Sequence, residues 1–377
     1  MATTEDNSHG EDTTFKTDPS YGIASVGEIA GMVLSMVLHL PFVLFWTLIT
    51  SPYHPNNKHK SWKRVLGDKA FHYLTGKFNV SQLQWALPDT ANVYKAWMQS
   101  HKMPLVVDEL GQNSRLLWVG ERRTDRVILY FHGGAYLLSM QECAVDFLKY
   151  VRDELKAKNK ETGVAILQYS LVTAAPFPTQ LHQAVLAVQH LLSMGVQPQN
   201  IQITGDSAGG NLALALLSHI LHPAPSIPKL TLPAPFAGVY LMSPWVSLSS
   251  PPVGSLVTND QSDIIGVECL AYWGAIVRYG VSADLKPYLE ALRAPEGWFN
   301  GLEGVVQNLL TTAGGAECLK DDIVVFADTI SKAHSGSKFV LQKYGVHNDP
   351  HFDFFTREKK KGELTPIIVS FFADGFN

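Results

Sequence analysis

From about residue 105 onward, short apolar runs alternate with longer segments whose apolar positions recur every three to four residues. The runs at 105–108, 116–119, 126–131, 164–169, 200–204, 237–242, 305–312 and 338–344 have the length of strands. The run at 126–131, Arg-Val-Ile-Leu-Tyr-Phe, is apolar at every position after its arginine, as a strand covered on both faces is. Between these runs, 143–156, 179–194, 212–217 and 321–333 carry helical spacing, and a last helix is expected with Thr365 as N-cap and Pro366 at N1. The alternation predicts the α/β class, with a mostly parallel central sheet and helices on both faces. Ligands of such sheets bind at the carboxyl ends of the strands.

The chain before residue 105 has a different texture. Residues 1–21 are polar and acidic and read as a disordered tail. Residues 29–49 then run for 21 positions without a formal charge, long enough to cross a bilayer as a helix, with Pro41 as a tolerated kink. The run begins too late, and without the basic leader, for a cleavable signal peptide. Residues 22–50 therefore read as a membrane anchor, or as apolar helices packed on the body. Acidic residues precede the run, and Lys58, Lys60, Lys63 and Arg64 follow it. That bias puts the catalytic part on the cytoplasmic side of an endomembrane such as the endoplasmic reticulum, or lays the segment in one leaflet. The sequon Asn79-Val80-Ser81 would matter only in the opposite topology. Residues 51–104, with Trp62, Phe71, Tyr73, Trp85, Tyr94 and Trp97, read as a helical cap region. The stretch 251–304 is irregular and aromatic and reads as an insertion that shapes a pocket, leaving 105–377 as the catalytic domain.

Composition narrows the classes further. A net charge of −4 over 377 residues gives nucleic acid no reason to bind. Cys143, Cys269 and Cys318 lie far apart, so neither a metal site nor a disulfide framework is readable, and no cofactor motif is present.

The candidate chemistry sits at strand ends. Gly205-Asp206-Ser207-Ala208-Gly209-Gly210-Asn211 joins a strand-like run to a helix-like one, and a serine between glycines at such a turn has the form of a nucleophile elbow. His132-Gly133-Gly134-Ala135-Tyr136 follows the buried run at 126–131. Gly133, Gly134 and Ala208 can offer backbone N–H groups to an oxyanion, because glycine lets a substrate carbonyl approach the main chain closely. Downstream, the loop after 305–312 offers Glu317, Asp321 and Asp322 as an orienting acid, and the loop after 338–344 offers His347 and His351 as a base. Nucleophile, then acid, then base is the order required of an α/β-hydrolase.

These two glycine motifs resemble the signatures of the hormone-sensitive-lipase-like α/β-hydrolases. Tyr169-Ser170-Leu171-Val172-Thr173-Ala174-Ala175-Pro176-Phe177-Pro178 matches a third family stretch at its ends only, and Leu241-Met242-Ser243-Pro244-Trp245 is similar to the strand after the elbow helix. The likeness covers about residues 105–355, and the apolar N-terminal run is similar to that of membrane-anchored members such as arylacetamide and steryl-acetate deacetylases, fungal ones above all. The resemblance implies a serine esterase or deacetylase with Ser207 as nucleophile. Glu317 falls where the family usually has aspartate, with Asp321 the second choice. His347 falls at the base position, with His351 competing. The same residues would serve a non-hydrolytic lyase, cyclase or condensing enzyme, or a receptor that has lost catalysis. The abundance of aromatics points to a small apolar ester as substrate. Oligomeric state is not readable.

Overall fold

The computed structural model describes residues 20–376, so the expected acidic tail lies almost wholly outside the described residues. Eight strands form one sheet: β1 (Val106–Gly111), β2 (Ser114–Trp118), β3 (Val127–Phe131), β4 (Gly163–Gln168), β5 (Ile201–Asp206), β6 (Gly238–Met242), β7 (Leu309–Gly314) and β8 (Ser337–Gln342). Their order is β1-β2-β4-β3-β5-β6-β7-β8, antiparallel at the β1–β2 and β2–β4 pairs and parallel from β4 to β8. Strand β3 has its chain successor β4 on one side and β5 on the other, so the winding reverses there and opens a crevice at the carboxyl ends of β3 and β5.

Every residue of β3 and β5 is buried, which explains their unbroken apolar pattern. One face of the sheet is covered by the helices Thr179–Ser193, Ala208–Leu221 and Lys320–Ala333, the other by Glu142–Ala157 and Leu364–Gly375. The helix Ala208–Leu221 is buried from Ala208 through His219, which is why its Leu-Ala-Leu-Ala-Leu-Leu run is apolar on all sides.

Three boundaries differ from expectation. β7 starts at Leu309 rather than 305, because Val306 is used in a separate bridge to Phe236. The last helix begins at Leu364, so Pro366 takes its third position, where a missing N–H is harmless. The stretch 251–304 is not irregular: it holds the 12-residue helix Val267–Arg278, with Cys269, Leu270, Trp273, Gly274 and Val277 buried.

The N-terminal region packs as helices, with Trp62–Lys77 central among them. The Arg64 guanidinium, buried on that helix, pairs with Asp68 (2.7 Å), Asp349 (2.5 Å) and Asp353 (2.9 Å). Asp349 also accepts the Val346 N–H at 3.0 Å, so a charged joint ties this region to the loop carrying His347. Breaking such a joint on one side would strand a buried charge, at a cost of about 3–5 kcal/mol.

Candidate active site

Ser207 stands between β5 and the helix Ala208–Leu221 with φ 53° and ψ −117°, a conformation that L-residues adopt only under constraint. The constraint is visible in the packing. A Cβ on Gly209 would come within 1.9 Å of the Phe131 carbonyl oxygen, and one on Gly205 within 2.3 Å of Gly209. The elbow is thus pressed against the end of β3, and the Ser207 N–H donates to Met242 O (2.9 Å) on β6.

The turn after β3 is also strained. Gly134, Ala135 and Tyr136 all have positive φ (101°, 57° and 60°), and the N–H groups of Leu137 and Leu138 close on Gly134 O. The Tyr136 hydroxyl donates to Asn211 Oδ1 (2.8 Å), binding this turn to the elbow helix. Gly133 departs from expectation as an oxyanion donor: its N–H donates to Asp206 Oδ1 at 2.9 Å and is already committed. Among the described residues, no acceptor stands opposite the N–H of Gly134 or Ala208. Asp206 organises the site further, since Tyr130 Oη donates to its Oδ1 (2.5 Å) and Asn348 Nδ2 to its Oδ2 (2.8 Å).

Ser207, Gly133, Gly134, His347 and His351 line one cavity of about 60 Å³, walled by Trp245, Trp273, Phe71, Phe352, Ile264 and Ile265. Of the acid candidates, Glu317 is fully buried, accepting from Ser243 Oγ (2.6 Å) and the Gly314 N–H (2.9 Å) on Oε2. Asp321 instead caps the Ser255 N–H from a largely exposed side chain, and Asp322 bonds Ser250 Oγ. Burial favours Glu317. His351 lies on the helix Asp349–Phe355 with Nδ1 3.8 Å from Asp206 Oδ2, whereas His347 precedes that helix.

Six buried polar atoms around this site lack a partner among the described residues: Nδ1 and Nε2 of His347, Nε2 of His351, Oδ1 of Asn348, Nε1 of Trp273 and Oε1 of Glu317. Buried polar groups are as a rule hydrogen-bonded, so their concentration here marks a place where lone pairs and a proton are kept free. Burial pushes the His347 imidazole down to about 4, aided by His351 and opposed by Asp206. Burial, with Asp263 nearby, pushes the Glu317 carboxyl well up. Both shifts have the same first cause, the burial that penalises each charged form.

Asp263, in the insertion, has no counterpart in the sequence motifs. Its buried carboxylate accepts the N–H of Cys318 (2.7 Å) on Oδ2 and those of His347 and Ile264 (2.8 Å each) on Oδ1. It therefore joins the acid loop, the histidine loop and the cavity wall. Its position in 251–304, a stretch expected to shape the pocket, is the only signal that could have singled it out.

The residues 111–361 match the family model described as steryl acetyl hydrolase. A Schizosaccharomyces pombe protein named as a steryl acetyl hydrolase is 26% identical over 246 residues, 60% of this chain and 60% of its own length. An esterase of Acinetobacter venetianus is 25% identical over 236 residues, covering 63% of this chain and 71% of its own. Among solved structures, an esterase of the bacterial hormone-sensitive lipase family superposes with a TM-score of 0.62 at 23% identity, over 84% of this chain and 99% of that one. That likeness carries the α/β-hydrolase fold.

Proposed function

The chain belongs to the steryl acetyl hydrolase family, and on that premise we propose that it is a serine carboxylic-ester hydrolase working through Ser207, His347 and Glu317. The observation that carries the reading is the single cavity shared by Ser207, the glycine turn after β3 and His347, with Glu317 fully buried on the loop after β7. His347, neutral at pH 7, takes the Ser207 proton as Oγ attacks the ester carbonyl, and Glu317, as the orienting acid, stabilises the imidazolium so formed. The N–H groups of Gly134 and Ala208 receive the oxyanion. The alcohol leaves with a proton from His347, and water, activated by the same imidazole, releases the acid and restores the serine.

The cavity volume supports a short acyl group. At about 60 Å³ it is far below the ~300–1,000 Å³ of pockets that enclose a drug-sized ligand. A short acyl group such as acetyl suits that space better than a long chain. The aromatic walls suit an apolar alcohol, and the apolar N-terminal helix suits association with a membrane.

Two measurements test this. A fluorophosphonate probe is expected to label the wild type and not Ser207→Ala. Across p-nitrophenyl esters, acetate is expected to exceed octanoate at least tenfold in kcat/KM. Equal labelling of both proteins would end the serine assignment, and a preference for octanoate would end the acetyl one.

A further inference from the structure

The helical stretch Val26–Tyr53 contains an 18-residue window of mean hydropathy 2.1 and, at 28 residues and about 1.5 Å each, has a length near 42 Å, enough to cross a bilayer. Its attachments say otherwise. Just ahead of its first turn, the Tyr21 hydroxyl donates to Leu87 O and Ser139 Oγ (3.1 Å each), and Gly22 N–H to Gln84 Oε1 (3.3 Å). In that turn, Glu28 Oε1 accepts from Asn79 Nδ2 and Glu28 O from Gln82 Nε2, both at 2.8 Å. At mid-length the Tyr73 hydroxyl sits 2.6 Å from Ser35 Oγ and 2.9 Å from His39 Nδ1. Beyond the far end, Asn56 Nδ2 donates to Ser262 Oγ (3.0 Å), and the His59 ring stacks on Tyr344 at 4.2 Å.

Both ends and the middle are thus held by one body, which a helix crossing a ~30 Å hydrocarbon layer cannot allow. The turned-in positions recur at helical period: Met32 is buried, and Ser35, Leu40, Val43 and Thr47 are half-buried. Pro41 is accommodated by a π-helical turn over Ser35–His39 rather than by a break, so the stripe stays continuous.

The opposite side is bare and apolar, with Leu34, Val37, Leu38, Phe42, Phe45 and Trp46 each about 60% exposed. No formal charge occurs between Glu28 and Lys58. At the end and just past it stand exposed Tyr53 and Trp62 with exposed Lys58 and Lys63, a group suited to the headgroup layer and its negative charge. A partner protein would need polar groups along such a face, because interfaces are rimmed by them; hydrocarbon needs none.

We infer that Val26–Tyr53 lies flat in one leaflet of a bilayer, its outer face among the acyl chains, and does not span it. This rests on the membrane association proposed above and specifies its geometry. It also bears on substrate access, since the helix Trp62–Lys77, which supplies Tyr73, also supplies Phe71 to the cavity wall. Asn79 is spent on the Glu28 contact and on capping its own helix, so the native sequon is a poor reporter of sidedness.

The test uses the full chain made in the presence of microsomes, with a glycosylation acceptor tag at the N-terminus in one version and at the C-terminus in another. Both tags are expected to behave alike, modified or unmodified together and digested or protected together, with the chain in the carbonate-washed pellet. One tag modified and the other not would overturn the flat arrangement while leaving membrane association standing. Recovery of the chain in the carbonate supernatant would overturn the leaflet as occupant, and a dimer by sedimentation would then assign the face to a second copy. The variant Phe42→Glu/Phe45→Glu is expected to lose most of its pellet fraction while hydrolysis of a water-soluble acetate stays within twofold. Unchanged pelleting of that variant would also count against the assignment.

Discussion

Replacing Asp263 by asparagine separates two things this residue does. Its carboxyl is pushed up from 3.8 to about 7 by burial, with the three backbone N–H groups it accepts and Lys60 opposing that push. A carboxyl whose folded value is raised binds its proton more tightly in the folded state. Stability from this group is therefore greatest below pH 3.8, falls as pH rises through about 7, and is level about one unit beyond that. At 1.36 kcal/mol per pH unit the whole span is about 4 kcal/mol, of which the part between pH 5 and pH 8 is about 3 kcal/mol. Asparagine does not titrate. The stability of Asp263→Asn minus that of the wild type should thus rise by about 3 kcal/mol between pH 5 and pH 8, read as the difference in urea unfolding at each pH. Activity should move the other way. The amide nitrogen must face either the Cys318 N–H or those of His347 and Ile264, leaving at least one donor unmatched at about 1–3 kcal/mol and loosening its loop. A tenfold or greater fall in kcat on a soluble acetate is expected, with KM within threefold. A stability difference independent of pH would refute the raised carboxyl, and an unchanged kcat would refute the clamp.

Two further outcomes follow from the same geometry. With the His347 imidazole held at about 4, the base stays neutral to well below the usual histidine range, so the acidic limb of kcat/KM should lie below pH 5; a limb at 6.5 or above would contradict its burial. Gly209→Ala drives a Cβ to 1.9 Å from Phe131 O, backbone against backbone, and should cost at least about 3 kcal/mol in thermal or urea unfolding, whereas Gly76→Ala, with nothing within 4 Å, should be neutral or stabilise by up to about 1 kcal/mol. Equal effects from the two alanines would break the claim that close packing sets the elbow.

Part of this site is readable in one dimension because its chemistry is local. Ser207 and its glycines must share one tight turn, Gly134 must lie beside the end of a buried strand, and the acid and base must each leave a strand, so each leaves a mark within a few residues. The strands are readable for a related reason, since burial on both faces permits little but apolar side chains. What stays hidden acts across the chain through the backbone. Asp263 meets Cys318 and His347 from 55 and 84 residues away, and Asp206 holds the Gly133 N–H from 73. A carboxylate accepting main-chain N–H groups requires nothing of the partners' side chains, so no pattern on either side records it. The helix Val267–Arg278 escaped because Gly274 occupies one of its inward positions, where a Cβ would meet Leu248 O at 2.2 Å; the position is dictated by packing yet looks like a break. The apolar stretch before residue 50 is ambiguous in sequence. In the flat arrangement inferred above, its outer residues face acyl chains and its inner ones the helix Trp62–Lys77. Only three-dimensional contacts tell a helix that crosses a membrane from one that rests in it.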